Sequence, residues 1–394
     1  MLWLPLFIAL LSVGFAKLSI VTVNWFFGHR LTKRIIVTLH SINFSLILGF
    51  PLLLAYGPGG CPLRLVLDRQ WQLVPFFYWP VLISGVFGFT LLVWAAIDFQ
   101  RTTAPSCLID NESQFIDLKR RYGPSWQRIF IGNGPMTRVA LLPGNEQFTI
   151  DVKTKIFQVP RLPSDWNGLS LVQLSDFHFR GAANLAYFAA VCEQAAALKP
   201  DLFVFTGDLL DDMERLDWIS ATLGQLNAPL GQYFILGNHD WYLDASSIRQ
   251  TLNGCGWIDL ASRCLMLPKH ASTSVVLCGD ETPWMGKHPD LSSIADDAFR
   301  ILLSHTPDNI HWAREQRIDV MLSGHTHGGQ IRLPLLGPVY SPSRYGVRFS
   351  AGEFWLKPTL LHVSRGISGR EPIRYGCPPE ITKLVLRCGP TNDS

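Results

Sequence analysis

The sequence predicts an α/β layered globular domain preceded by an N-terminal transmembrane helical region. Three observations carry that reading. Of 394 residues, 48% are hydrophobic and only 16% charged, against about 25% charged in an ordinary soluble domain. The shortfall is local, because residues 1–97 hold six basic side chains (Lys17, Arg30, Lys33, Arg34, Arg64 and Arg69) and a single acid, Asp68. From about residue 147 the pattern changes to short apolar runs, each closed by a polar cluster, with an Ala-rich helical stretch between the first two. The chain therefore divides into a membrane domain (1–97), a juxtamembrane linker (98–146) and a globular domain (147–394).

Residues 73–97 run 25 long without a charge, enough at 1.5 Å per residue to cross a hydrocarbon core of about 30 Å. Residues 35–56 make a second span, interrupted only by His40 and Pro51 near its ends. In residues 1–27 each Leu, Ile, Val and Phe favours insertion by about 0.3–0.6 kcal/mol, and together they outweigh about 3 kcal/mol for the central Lys17. No basic region precedes this run and no A-x-A site closes it, as a cleaved signal peptide requires. Three spans result. The loop at 28–34 carries Arg30, Lys33 and Arg34, whereas that at 57–72 sets Arg64 and Arg69 beside Asp68. Positive-inside counting puts the first loop, and the globular domain after the third span, in the cytoplasm. Residues 115–122 fit either a helix on the membrane surface, with Phe115, Leu118 and Tyr122 on one face, or a solvated linker helix.

The eight cysteines form no C-x-x-C pair and fit neither a zinc ribbon nor a dense secreted scaffold, so they read first as reduced, mostly structural thiols, with an exported domain carrying one or two bridges as the alternative. The basic residues lie between apolar runs and form no stripe, which excludes a nucleic-acid polymer as partner.

Five apolar runs are expected as strands: 169–175, 201–206, 231–236, 300–304 and 318–323. The stretch 183–199, stopped by Pro200, is expected as a helix. The residues just past each strand are the informative ones. After the first comes Asp176-Phe177-His178, after the second Gly207-Asp208 with Asp211, and after the third Gly237-Asn238-His239-Asp240. His305 comes after the fourth, and Gly324-His325-Thr326-His327 after the fifth. Five of the eleven histidines thus stand at strand ends, where α/β folds gather functional groups. Imidazole nitrogens, carboxylates and one amide oxygen, without thiolate, suit Mn²⁺, Fe²⁺ or Zn²⁺. The set is too large for one ion and suits two that share a carboxylate, an arrangement that serves in-line phosphoryl chemistry.

The ordered blocks SDFH, GDLLD, GNHD, SHTPD and GHTHGGQ resemble the calcineurin-like metallophosphoesterases, over about residues 160–388. The wording GHTHGGQIRLP, VSRG (363–366) and CPPEIT (377–382) is similar to a bacterial, membrane-associated branch that includes enzymes cleaving UDP-2,3-diacylglucosamine in lipid A synthesis. The resemblance implies a four-layer α-β-β-α sandwich. It also implies that Asp176, His178 and His327 bind one metal and Asn238, His305 and His325 the other, with Asp208 bridging. His239 would then be the catalytic histidine that is not a ligand, and Asp211 would orient it. Asp240 reads as holding the turn. Gly328 and Gly329 fit a backbone passing close to the metals or a plain turn. Arg180, Arg365 and Arg370 are candidates to pair with a substrate phosphate, since guanidinium matches it bidentately. Trp241, Trp284 and Met285 read as core packing, with an apolar lip for acyl chains as the alternative, and His270, His288, His311 and His362 match no motif and read as structural or exposed.

Together these readings imply a hydrolase of the inner (cytoplasmic) membrane with two divalent metal ions, Mn first, and a lipid-linked phosphate substrate presented by the bilayer. UDP-2,3-diacylglucosamine pyrophosphatase is its sharpest form. A phosphodiesterase or phosphatase of another phospholipid or nucleotide keeps the chemistry, and a non-catalytic membrane scaffold is the alternative of another class.

Overall fold

A computed structural model describes residues 3–57, 61–134, 136–268 and 273–389, so His270 lies outside the described residues. The chain forms two compact units, one of residues up to Thr102 with Leu333–Arg348, the other of Thr103–Arg332 with Phe349 onward.

The first unit contains three apolar helices long enough to cross a bilayer: α1 (Trp3–Phe27), α2 (Lys33–Tyr56) and α4 (Tyr78–Arg101), with the short α3 (Pro62–Leu67) between the last two. The helix of α1 runs through the buried Lys17 without a break. The third span starts later than residue 73, because Trp71–Leu73 form a 3-10 turn and Pro75 interrupts the helical pattern. Pro80 falls in the first turn of α4, where its missing N–H leaves no hydrogen bond unmade. The helix then continues past Ile97 to Arg101, a cation suited to its C-terminal end. A Cβ added at Gly88 would stand 1.9 Å from the carbonyl oxygen of Gly14. That approach of α1 to α4 is possible only with glycines at the crossing.

The second unit is built on two large sheets. The larger has seven strands in the order β1 (Leu108–Asp117), β2 (Thr149–Val159), β15 (Glu380–Cys388), β3 (Leu169–Leu174), β4 (Leu202–Thr206), β5 (Gln232–Ile235) and β6 (Ile258–Asp259). The smaller has six, in the order β13 (Gly352–Leu356), β14 (Thr359–Val363), β10 (Val320–Ser323), β9 (Phe299–Ser304), β8 (Val275–Asp280) and β7 (Cys264–Met266). A short ribbon pairs β11 (Arg332–Leu333) with β12 (Gly337–Pro338). The five expected strands and the helix, Leu185–Ala197, lie within two residues of their expected bounds.

Alternation along each strand sets the layers. Leu171, Val204, Ile235, Ile301 and Leu322 share a core between the sheets, whereas Val172, Phe203, Phe205 and Phe234 pack with Phe188, Val191, Ile248 and Leu252 of the flanking helices. The short helix Ile310–Glu315 lies against β14 on the smaller sheet. The result is the mixed α/β sandwich that the resemblance implied.

Residues 98–146 are not a linker. β1 pairs antiparallel with β2 over nearly its whole length, so Phe115 stands in a strand. Only Leu118–Tyr122 form a helix, begun by the Asp117 carboxylate, which accepts from Lys119 N and Arg120 N. A continuous surface helix over 115–122 is ruled out because strand pairing uses its first residues. Of the thiols, Cys264 and Cys278 face each other across β7 and β8 and are joined by a disulfide, the single-bridge alternative, while the other six cysteines are free.

Candidate metal centre

The expected ligands converge beyond the C-terminal ends of β3, β4, β5, β9 and β10. Each of those strands is buried along its length, so the polar residue just after it is delivered to the sheet edge with little freedom. Asp176, His178, Asp208, His325 and His327 have φ between +48° and +70°, a left-handed backbone that turns each side chain inward at once. Gly324 is required by packing: a Cβ there would meet Ser175 Oγ at 2.0 Å and Asp176 Oδ2 at 2.4 Å. Gly328, by contrast, is small because Cys377 and Arg365 press on it, not because of the cluster.

Asp176, His178, Asp208 and His327 offer ligand atoms within 4.8 Å of one another, and so do Asp208, His305 and His325. His178 Nε2 stands 3.2 Å from His327 Nε2 and 3.5 Å from Asp208 Oδ2. On the other side, His305 Nε2 lies 3.3 Å from the same Asp208 oxygen and 3.1 Å from Asn238 Oδ1. The partners of the far nitrogens fix the proton positions. His305 Nδ1 donates to the Thr206 carbonyl (2.7 Å) and His327 Nδ1 to that of Ser368 (3.0 Å), while His178 Nδ1 faces Asp211 Oδ2 at 3.4 Å. His305 and His327 therefore present Nε2 to the Asp208 carboxylate, the Asn238 amide oxygen and the His178 ring. Such an arrangement in a buried cluster repels itself unless a cation lies among the donors, so the residues fit divalent metal.

The surrounding groups hold this geometry. Asp240 is fully buried and accepts from the backbone N–H of Asp208, Leu209, Leu210 and Gly237, tying the β4 loop to the β5 loop as expected of a turn holder. Burial and the neighbouring Asp208 raise its pKa to about 6. His239 falls in a third group of potential ligand atoms, with His178 and Asp211, and its backbone N–H donates to Asp208 Oδ1 at 2.8 Å. Its Nδ1 bonds Asp211 Oδ1, its side chain is 23% exposed, and its ring meets that of His178 edge-on at 4.5 Å. Asp211 thus orients His239 and His178 together.

The three arginines separate. Arg180 and Arg370 are half-buried neighbours, with Arg180 Nη1 donating to the Arg370 carbonyl at 3.3 Å. Arg365 is buried, its guanidinium held by Asp151 and by Glu380 at 2.8 Å, which hold its pKa above the ordinary guanidinium value despite burial. It is a structural tie and is withdrawn as a phosphate ligand. Two further side chains support the cluster, Arg374, which sequence reasoning missed, and Trp284, which it read as packing. Arg374, fully buried, donates to the carbonyls of His327 and Arg365 (3.1 and 2.6 Å) and to that of Ser368, clamping the last ligand loop. Trp284, buried, sets its ring 4.8 Å from His325 and 5.5 Å from His305. Its place just beyond β8, at the same sheet edge as the ligands, was the available signal; Arg374 lies in no motif and had none.

A buried cluster of this composition at the strand ends of a double-sheet sandwich defines a metal-dependent phosphoester hydrolase. The model of the calcineurin-like phosphoesterase family matches residues 169–329, the segment that holds all seven candidate ligands. The chain is 33% identical over 234 residues to the metallophosphoesterase YkuE of Bacillus subtilis, covering 57% of this chain and 82% of that one. It belongs to the calcineurin-like metallophosphoesterase family. The UDP-2,3-diacylglucosamine pyrophosphatase LpxG of Chlamydia muridarum is 27% identical over 293 residues (59% of this chain, 87% of that one). A transmembrane protein with metallophosphoesterase domain from Danio rerio is 30% identical over 260 residues (58% and 55%).

Proposed function

We propose that this protein is a membrane-anchored, dinuclear-metal hydrolase of a lipid-linked phosphoester or phosphoanhydride, most sharply a UDP-2,3-diacylglucosamine pyrophosphatase acting in lipid A synthesis at the inner membrane. The observation that carries it is the position of Asp208 Oδ2 between His178 Nε2 and His305 Nε2, at 3.5 and 3.3 Å. One oxygen shared by two groups of donors supports two ions, with Asp176, His178 and His327 on one and Asn238, His305 and His325 on the other. When bound, two such ions, Mn²⁺ foremost, activate a water and neutralise the oxygens of an in-line phosphoryl transition state. His239, held by Asp211, donates a proton to the departing oxygen. Arg180 and Arg370 pair with a phosphate outside the reacting one. Three apolar helices and the likeness to LpxG support a diacylated substrate.

Incubation of the purified full-length protein and Mn²⁺ with UDP-2,3-diacylglucosamine is expected to release UMP and the lipid monophosphate. Turnover of an aryl phosphodiester without either product would refute the pyrophosphatase assignment and leave another phospholipid or nucleotide as substrate.

A further inference from the structure

Residues 333–348 belong to the membrane unit, although the chain on either side belongs to the globular one. This excursion begins six residues beyond His327. It opens as the β11–β12 ribbon, whose tip presents Leu335, 76% exposed, with Leu333 at 42%. The tip is fastened to the end of α4: Gln100 Nε2 donates to the Leu335 carbonyl at 3.1 Å, and a Cβ at Gly337 would come within 2.7 Å of the Phe99 ring. Trp94, Ile97 and Phe99 of α4 are themselves exposed, so the leucines prolong the surface that this helix offers to lipid. A single exposed leucine on a soluble protein needs no explanation. Here several adjoin the end of a span. The sixteen residues contain no acid and two exposed arginines, Arg344 and Arg348, together with Tyr340 and Tyr345, and α4 ends on Arg101. Leucine beside tyrosine and arginine is the composition of a segment lying at the headgroup boundary.

We propose that residues 333–348 form a bilayer-seated hairpin, with Leu333 and Leu335 in the acyl region of the leaflet where α4 ends and Arg101 at the headgroup level. The loop that supplies His325 and His327 then runs directly into a lipid-embedded segment. The proposal rests on α4 spanning a bilayer and is independent of which phosphoester is cleaved. Its test needs no turnover. Benzoylphenylalanine is placed in the full-length protein at Leu335, at Leu333 as a second site, at Ile83 on the exposed side of α4, and at Glu315 on the globular unit, and each protein is irradiated in nanodiscs of phosphatidylethanolamine and phosphatidylglycerol. Phospholipid adducts at Leu335 and Leu333 are expected within about threefold of the yield at Ile83 and at least tenfold above Glu315. A yield at both leucines nearer to that of Glu315 overturns the proposal.

Discussion

At the residue scale, the site is defined by where protons are held. His305 and His327 commit Nδ1 to backbone carbonyls and so keep Nε2 free to face carboxylates and the Asn238 amide oxygen. Asp208 is the residue both groups of donors share. Asp208→Asn is therefore expected to lower bound metal and to cut aryl phosphodiester turnover by more than about 10²-fold. His239→Asn should instead leave metal content unchanged, measured by mass spectrometry of the purified protein, and reduce kcat by about 10²–10⁴-fold. If both variants turned over like the parent, the site would lie elsewhere. Arg365 and Arg180 should also part company. Arg365→Gln leaves Asp151 and Glu380 with Lys153, 3.4 Å from each, as the remaining ion-pair partner they share, and the lost guanidinium contacts should appear as a lowered Tm. Arg180→Gln should keep Tm and raise KM for a diphosphate substrate. The motifs displayed every one of these residues, but not which arginine was free. That depended on Asp151 and Glu380, brought to Arg365 from β2 and β15 by pairing that no local pattern announces.

At the scale of elements, burial made five strands legible without being sufficient, since β8 and β14 are equally buried and lie outside the expected runs. β3, β4, β5, β9 and β10 are buried along their length and read as continuous apolar runs. β1 was missed because it is an edge strand with mostly exposed, polar residues, held by backbone pairing to β2 and not by an apolar stripe. β13 and β14 carry a testable ionic contact. Burial alone would raise the pKa of Glu353, but His362 and Lys155 outweigh it and lower the value from 4.5 to about 2. A depressed carboxylate stabilises the fold fully above pH 4.5 and loses that contribution as pH falls through about 2. The difference corresponds to about 3 kcal/mol. Glu353→Gln should therefore flatten the fall in Tm between pH 4.5 and 2. An unchanged slope would show that the Lys155–Glu353–His362 cluster does not titrate there.

At the scale of the whole molecule, composition separated an apolar, basic N-terminal part from a globular part of ordinary polarity. It did not reveal that the membrane unit recruits residues 333–348, since an excursion of sixteen residues leaves no mark on averages and its leucines read as part of a ligand motif. Two features of the chain bear on the compartment of the globular unit. Arg30, Lys33 and Arg34 in the first loop favour the cytoplasm after three spans. The Cys264–Cys278 bridge is of a kind that persists in oxidising compartments and is kept reduced in the cytosol. The loop charges act during insertion, whereas the thiols respond to whichever compartment results, so the two features point to opposite sides and a fusion reporter decides between them. Two outcomes are expected together. A fluorescent protein fused at the C-terminus should fluoresce, and an alkaline phosphatase fusion at the same place should stay inactive. An active phosphatase fusion would reverse the orientation and place the metal centre on the far side of the membrane from cytoplasmic nucleotides, removing a UDP-linked substrate from its reach.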